Sequence, residues 1–310
     1  MIRYWLLKFL GMLCRVLPPG ISYALACGVA DVTYLLWAKG RANLRQHLMQ
    51  VLGDDVQQDE TGRKARQVLR NYCKYGVDFI RTPNLSTRDI DRLVTFQGWE
   101  NLDKALAEGK GAILVGLHLG NWDLGGAAIA SRRYPLNVIA NSFSHSKLNR
   151  AIQRLRTCKG MRVIPSRAEA DHMVKVLRRN ELLAMLIDRP NHKNGVTVNF
   201  LKRRIKVPAG AATLALRTGA KVLPGWTVRL PDNTFRGCIG QQVPFRPKGK
   251  LADDVQAFTQ QIMAALENIV QQYPEQWYIF SPRLIGETQQ ATLTKQDRTP
   301  VVDSTRRSAH

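Results

Sequence analysis

Acidic side chains are scarce in this chain of 310 residues: 24 Asp and Glu stand against 46 Lys and Arg, a formal net charge of +22. A field of that sign disfavours cationic partners and leaves polyanions, either nucleic acid or an anionic membrane surface. Cysteine is equally sparse. The five thiols (Cys14, Cys27, Cys73, Cys158, Cys238) are scattered, odd in number and without C-x-x-C spacing, which fits neither a disulfide framework nor a zinc site. Reduced thiols on the cytoplasmic side are the simplest account. The chain also lacks a G-x-S-x-G elbow and a G-x-x-x-x-G-K-[ST] loop, so serine hydrolysis and P-loop chemistry recede. It lacks helix-turn-helix, zinc-finger or RNP patterns and aromatics interleaved with its basic runs. Nucleic acid therefore falls behind membrane, although the run Lys202, Arg203, Arg204, Lys206 and the pair Arg178, Arg179 read equally well as solvated faces.

Two apolar stretches open the chain. Residues 4–17 are apolar except for Lys8 and Arg15, seven apart and so on one helical face, as in a helix lying at a bilayer surface. Pro18, Pro19 and Gly20 break it. Residues 21–38 would extend roughly 27 Å as a helix, near the hydrocarbon thickness of a bilayer. Asp31 lies inside that stretch, and a central Asp costs about 3 kcal/mol on insertion scales. Monotopic anchoring is expected over a simple span, with Lys39, Arg41 and Arg45 on the cytoplasmic side; interrupted apolarity and the missing cleavage site disfavour a secretory signal.

Residues 46–80 read as helix around a break at 53–55. Beyond residue 95, short apolar runs at 112–117, 136–140, 162–164, 183–187, 196–200 and 221–228 read as strands. Between and after them lie helix candidates at 99–107, 122–131, 146–159, 168–178, 208–218 and 253–272, with Pro208 expected in a first helical turn. The alternation is an α/β pattern, a sheet flanked by helices. Three segments follow: an N-terminal membrane-anchoring helical segment (1–40), an α/β domain (41–286), and a polar, pattern-free tail (287–310) expected to be disordered. There is no internal repeat.

The stretch GAILVGLHLGNWDLGGAAIA, residues 111–130, carries the chemistry. A buried strand, then His118, then a glycine-containing turn and a small-residue helix would present the imidazole at a strand's carboxyl end, where open α/β sheets place ligands. Asn121 is expected to cap the helix, and Gly120 to let a substrate approach the backbone. His118 and Asp123 form an H-x4-D spacing. On one continuous helix the two would point about 140° apart, so they meet only if the turn intervenes. If it does, Asp123 accepts the imidazole N–H while His118 removes a proton from an alcohol, which then attacks a thioester. The spacing is weak by itself, and His118 as a hydrogen-bonded strand-end residue is the plain alternative. His47, His145, His172, His192 and His310 lack the spacing, and no His or Cys set near His118 suggests a metal.

Taken together, RANLRQHL, HLGNWDLGG, the Arg156 region with Gly160, LLAMLIDRP, VTVNF, PAGAATLALRTGAKVLP and YPEQWYIF make the sequence resemble the bacterial late acyltransferases of lipid A biosynthesis and their relatives that acylate phosphatidylinositol mannosides. The resemblance implies a glycerolipid-acyltransferase-like fold, a catalytic His–acid pair at His118 and Asp123, and a site on the cytoplasmic face of the inner membrane. It implies an acyl carrier protein or coenzyme A thioester as co-substrate and a lipid acceptor, with no metal or redox cofactor. By position, Arg156 would hold an anionic headgroup or donor phosphate and Asp188 would be an acid near the pocket, with Arg189 beside it; Arg156 as a solvated helix residue and Asp188 as a strand cap are the alternatives. Many lipid A enzymes have Glu where Asp123 stands and Gln where Arg189 stands, so the wording here leans toward the mannoside branch. The acceptor is expected to be a glycolipid such as a lipid A precursor, with a phosphatidylinositol mannoside or a lysophospholipid as rivals. A non-catalytic basic membrane-binding protein is the reading of another class.

Overall fold

A computed structural model of the chain describes residues 2–53, 57–189 and 195–280; the tail 287–310 lies outside the described residues. The elements run in chain order as α1 (Ile2–Val16), α2 (Pro19–Leu36), α3 (Ala38–Leu52), α4 (Gln58–Arg81), α5 (Thr87–Leu93), β1 (Val94–Gln97), α6 (Trp99–Ala107), β2 (Ala112–Gly116) and α7 (Trp122–Ser131). They continue with β3 (Leu136–Ala140), α8 (Ser146–Thr157), β4 (Arg162–Pro165), α9 (Ala170–Arg178), β5 (Leu182–Leu186), β6 (Gly195–Phe200), β7 (Arg203–Pro208), α10 (Gly210–Thr218), β8 (Lys221–Arg229), β9 (Phe235–Ile239) and α11 (Leu251–Gln272). The expected α/β class holds: a central mixed sheet flanked by helices.

Seven strands form that sheet in the order β1-β9-β8-β2-β5-β3-β4. Every neighbouring pair is parallel except β8 with β9. The chain leaves β2 for β3 on one side and later returns as β8 on the other, so β2 and β5 stand where strand order reverses, the place where such sheets open a crevice at their carboxyl ends. The second sheet is the hairpin β6–β7. Arg203, Arg204 and Lys206 lie on β7, and Pro208 ends that strand rather than starting a helix, which begins at Gly210. Pro has no N–H to give a ladder, so it suits a strand end as well as a first helical turn.

The two faces of the main sheet pack differently. Along β2, Ile113 and Val115 point to one face and Ala112 and Leu114 to the other, the period of two expected of a strand. The first face is covered by α9, α10 and α11, whose Leu177, Leu214, Ile262, Met263 and Leu266 are buried against it. The second is covered by α5, α6 and α7. A third apolar cluster joins α2, α3 and α4 through Ala30, Leu44, Leu48, Val68 and Leu69.

Among the described residues, α2 alone is long and apolar enough to cross a membrane. Its inner side, Ser22, Ala26 and Ala30, is buried. Its outer side exposes Ile21, Leu25, Val29 and Val32. Asp31 sits at the boundary, its two carboxylate oxygens accepting from both Arg66 and Arg70 of α4 at 2.6 to 2.7 Å. On α1, Trp5, Leu6, Phe9 and Met12 are likewise exposed.

Candidate active site

His118 stands two residues beyond the end of β2, and Asp188 two beyond the end of β5. Because Gly116 pairs with Leu186 in register, the same offset carries both side chains to the same height above the sheet. The His118 Nδ1 lies 2.6 Å from Asp188 Oδ1, and the His118 backbone N–H donates to Asp188 Oδ2 at 2.8 Å. A carboxylate only accepts, so Nδ1 carries the hydrogen, and in the neutral imidazole the lone pair is then on Nε2. Asp188 is fully buried. Burial alone would raise its pKa, but the charge on His118 and the hydrogen bonds from His118 and Trp277 outweigh it and hold the carboxyl below the usual range. It is therefore an anion at neutral pH.

This corrects the pairing expected from the H-x4-D spacing. Asp123 belongs to a different cluster: its Oδ2 accepts from the Tyr75 hydroxyl at 2.6 Å and its Oδ1 from Arg156 Nε at 2.9 Å. The turn does intervene between His118 and α7, yet it aims Asp123 toward α4 and α8 instead of the imidazole. Asp188 is completely buried and is not among the residues lining the cavity described below. Tyr75 was not singled out from sequence. Burial, and then the neighbouring Asp123 charge, push its phenol well above the ordinary range, so it stays a donor.

Arg156 is mostly buried on α8, its side chain 16% exposed, and its guanidinium lies 5.3 Å from the centre of the Phe79 ring. It is a paired residue rather than a solvated one. Arg189 is exposed at the rim. Asn121 caps α7, its Oδ1 accepting from the Leu124 N–H at 3.0 Å, while its Nδ2 donates to buried Asp78 at 3.0 Å. Both ends of this amide are thus used inside the protein. Gly120 has φ +63, and a Cβ there would fall 2.0 Å from the Thr227 carbonyl oxygen. The β8 backbone therefore comes close to Gly120.

The loop from 118 to 121 is tied on both sides. Asn121 N–H donates to Thr227 O at 2.7 Å, Gly120 N–H to Gln276 O at 2.8 Å, and Tyr278 N–H to His118 O at 2.8 Å. The Trp122 ring meets the imidazole edge-on at 5.2 Å. From this loop a cavity of about 510 Å³ runs between the sheet and α7. His118, Trp122, Asp123, Arg156 and Arg189 line it together with Leu114, Ile129, Leu136 and Met161. Leu114 lies four residues before His118, so the cavity follows β2 back by about 13 Å. Small residues stand among its lining, including Gly116, Gly125, Gly126, Ala140, Ala184 and Gly225; a Cβ on Gly125 would meet Thr227 and one on Gly126 would meet Met161, so these two glycines let α7 pack closely. An imidazole base, a cationic rim and an apolar channel suit a hydroxyl, an anionic group and a hydrocarbon chain.

A family model described as bacterial lipid A biosynthesis acyltransferase matches residues 1–285. Phosphatidylinositol mannoside acyltransferase of Mycolicibacterium smegmatis is 27% identical over 283 residues, covering 85% of this chain and 86% of that protein. Lipid A biosynthesis lauroyltransferase of Escherichia coli is 24% identical over 291 residues, covering 89% of this chain and 90% of that protein. These relatives are acyltransferases, which displaces the reading of an idle membrane-binding protein.

Proposed function

Since the chain belongs to the bacterial lipid A biosynthesis acyltransferase family, and is an acyltransferase, we propose that it moves a fatty acyl group from a thioester to a hydroxyl of a membrane glycolipid, with His118 as general base. The observation that carries this reading is the imidazole held by buried Asp188 at the mouth of an apolar cavity. The acceptor hydroxyl gives its proton to His118 Nε2 as its oxygen attacks the thioester carbonyl. The tetrahedral intermediate then expels the thiolate, which leaves with the proton returned by the imidazolium. Asp188 stays ionised throughout, fixing the tautomer and stabilising the imidazolium, the part that the carboxylate of a Ser-His-Asp triad plays.

Asp123 has a separate task in this reading. It occupies one edge of the Arg156 guanidinium, leaving the other edge at the cavity mouth for a phosphate of acceptor or donor. The acyl chain lies in the channel between the sheet and α7. The acyl donor, on acyl carrier protein or coenzyme A, is a co-substrate. A lipid A precursor and a phosphatidylinositol mannoside are the rival acceptors, and the relatives' names divide the same way. The glycerolipid-acyltransferase type of fold is part of the same proposal.

For attachment we take α1 and α2 to lie in one leaflet, on the cytoplasmic face of the inner membrane. Asp31 to Arg66 and Arg70, with Tyr23 to Asp78 at 2.5 Å, pins α2 along a charged helix that would have to follow it into the bilayer if it spanned. Replacing Trp5 and Phe9 together by Glu should then weaken sedimentation with anionic vesicles by tenfold or more, each buried aromatic being worth about 2 kcal/mol. The chemistry is tested with purified protein, both thioester donors and vesicle-borne glycolipids. His118→Ala should abolish transfer, and retained transfer would remove the base assignment. Mass spectrometry of lipids from cells lacking the protein identifies the acceptor as the under-acylated species that accumulates.

A further inference from the structure

The segment after α11 does more than close the fold. Pro274–Gln276 forms a short 3-10 turn with Pro274 and Gln276 buried, and residues 276–278 then run alongside the catalytic loop. Leu119 and Trp277 form an isolated antiparallel bridge. Gly120 N–H and Tyr278 N–H donate across it. Within this strap the Trp277 indole turns inward and its Nε1–H donates to Asp188 Oδ2 at 2.9 Å. Its ring is packed edge-on against Phe200 at 6.0 Å. We propose that Trp277 is a positioning residue for the acyl transfer: its indole N–H locks the Asp188 carboxylate in the orientation that aims His118 Nε2 at the acceptor hydroxyl. The proposal rests on His118 being the base, as argued above.

Three donors meet this carboxylate. One oxygen takes the imidazole N–H, and the other takes the His118 amide and the indole. Both His118 donors belong to one residue and move with the loop, so the indole is the hold that comes from elsewhere. A buried indole N–H needs an acceptor, and it can only donate. Satisfying a core tryptophan would require no more than a backbone carbonyl. Here the acceptor is the charged group on which the imidazole leans, where a donor also sets how strongly the anion attracts the imidazolium. Partners one step removed from a reacting group are worth about 10- to 100-fold in metal sites, and the same logic applies to an imidazole oriented by a carboxylate.

Two variants separate this role from packing. In one, Trp277 is replaced by β-(benzothiophen-3-yl)alanine through suppression of a stop codon at that position, which keeps the ring's size and exchanges N–H for sulfur. The other is Trp277→Phe. With the donor gone the carboxylate is less well stabilised and binds the imidazolium more tightly, so the imidazole holds its proton to higher pH. The expected result is a fall in kcat of about tenfold, a KM for the thioester within twofold of the parent, and an acid limb of the kcat/KM profile displaced upward. The imidazole titration of His118, followed by NMR in the full-length protein, should move in the same direction. An unmoved titration overturns the proposal, whether or not the rate falls, because lost packing alone lowers rate without shifting the limb. The NMR reading needs no turnover, so it tests Trp277 even if His118→Ala shows that another group is the base.

Discussion

The two faces of the central sheet are built from the same strands and serve opposite ends. Against α9, α10 and α11, the side chains Ile113, Val115 and Leu183 meet Leu177, Ile262, Met263 and Leu266 in a filled core. Against α7, the same strands present Leu114, Gly116 and Ala184 to Gly125, Gly126 and Ile129, and the space between them is the 510 Å³ cavity. The difference lies in the helices: α11 is written in Val, Phe, Ile, Met and Leu, whereas α7 is WDLGGAAIAS. A tightly filled interior resists any change of volume; the second face has a packed core of its own, with Ile90, Leu102, Leu124 and Phe235 buried in it, and the cavity lies beside that core. On the second face the cavity lies against α7, and beyond the carboxyl ends of β2 and β5 stand His118 and Asp188.

The largest effect should come from cutting the dyad at the head of the cavity. Asp188→Asn replaces the acceptor that fixes the imidazole tautomer, and by analogy with a Ser-His-Asp triad kcat should fall by about 10⁴-fold. Asp123→Asn should cost far less in kcat and act mainly through the KM of the anionic substrate, because it disturbs Arg156. Equal losses of kcat, or the reverse ranking, would return the dyad to Asp123. The pH profile sharpens the same point. A carboxyl whose folded pKa is depressed contributes stability above its unfolded value of about 3.9, and loses it only as pH falls through the lower folded value. Asp188 is thus charged throughout pH 5 to 8, and the acid limb of kcat/KM in the parent protein should follow one proton, that of the imidazole. A second proton in that limb would count against an ionised Asp188.

Next in size is the filled face itself. Leu266 on α11 is completely buried, and Leu266→Ala should lower unfolding free energy by about 2–5 kcal/mol, measured by denaturant titration. The acyl-chain preference should stay as it was. A changed preference would mean that the two faces are coupled through the sheet.

How far this division could be seen beforehand depends on range along the chain. The strands at 112–117, 136–140 and 221–228 and the helices on α7 and α11 announce themselves locally by runs of apolar residues, and they fall where expected. β1 and β9 carry little signal, being four or five residues that include Thr, Gln, Arg and Gly; in β7 the charges mask an alternation of Ile205 and Val207. His118 was legible from a strand followed by a glycine turn. Spacing points to Asp123, five positions away, as its partner, whereas Asp188 is 70 positions away and only strand register brings it close. One signal was available: Asp188 follows the apolar run LLAMLI just as His118 follows AILVGL. Tyr75 offers none, and Trp277 only its place in the block YPEQWYIF, since each makes its contact across packing that spacing does not encode.

The smallest effect, and the most direct comparison of the two faces, is one substitution made twice. Ala212 on α10 is buried in the filled core, and Ala212→Val adds two methyl groups where neighbours already touch. Such overpacking costs about 1–3 kcal/mol. Ala184 on β5 lines the cavity instead, and Ala184→Val puts the same atoms into open space on a strand that favours β-branched residues. Its stability should stay within about 0.5 kcal/mol of the parent, while thioester donors with the longest chains are transferred less well relative to short ones. Competition between donors of different length, read by mass spectrometry of the product, reports the second effect, and thermal unfolding of both variants reports the first. If Ala184→Val destabilises as much as Ala212→Val and leaves donor preference untouched, the space beside α7 is not where the acyl chain lies.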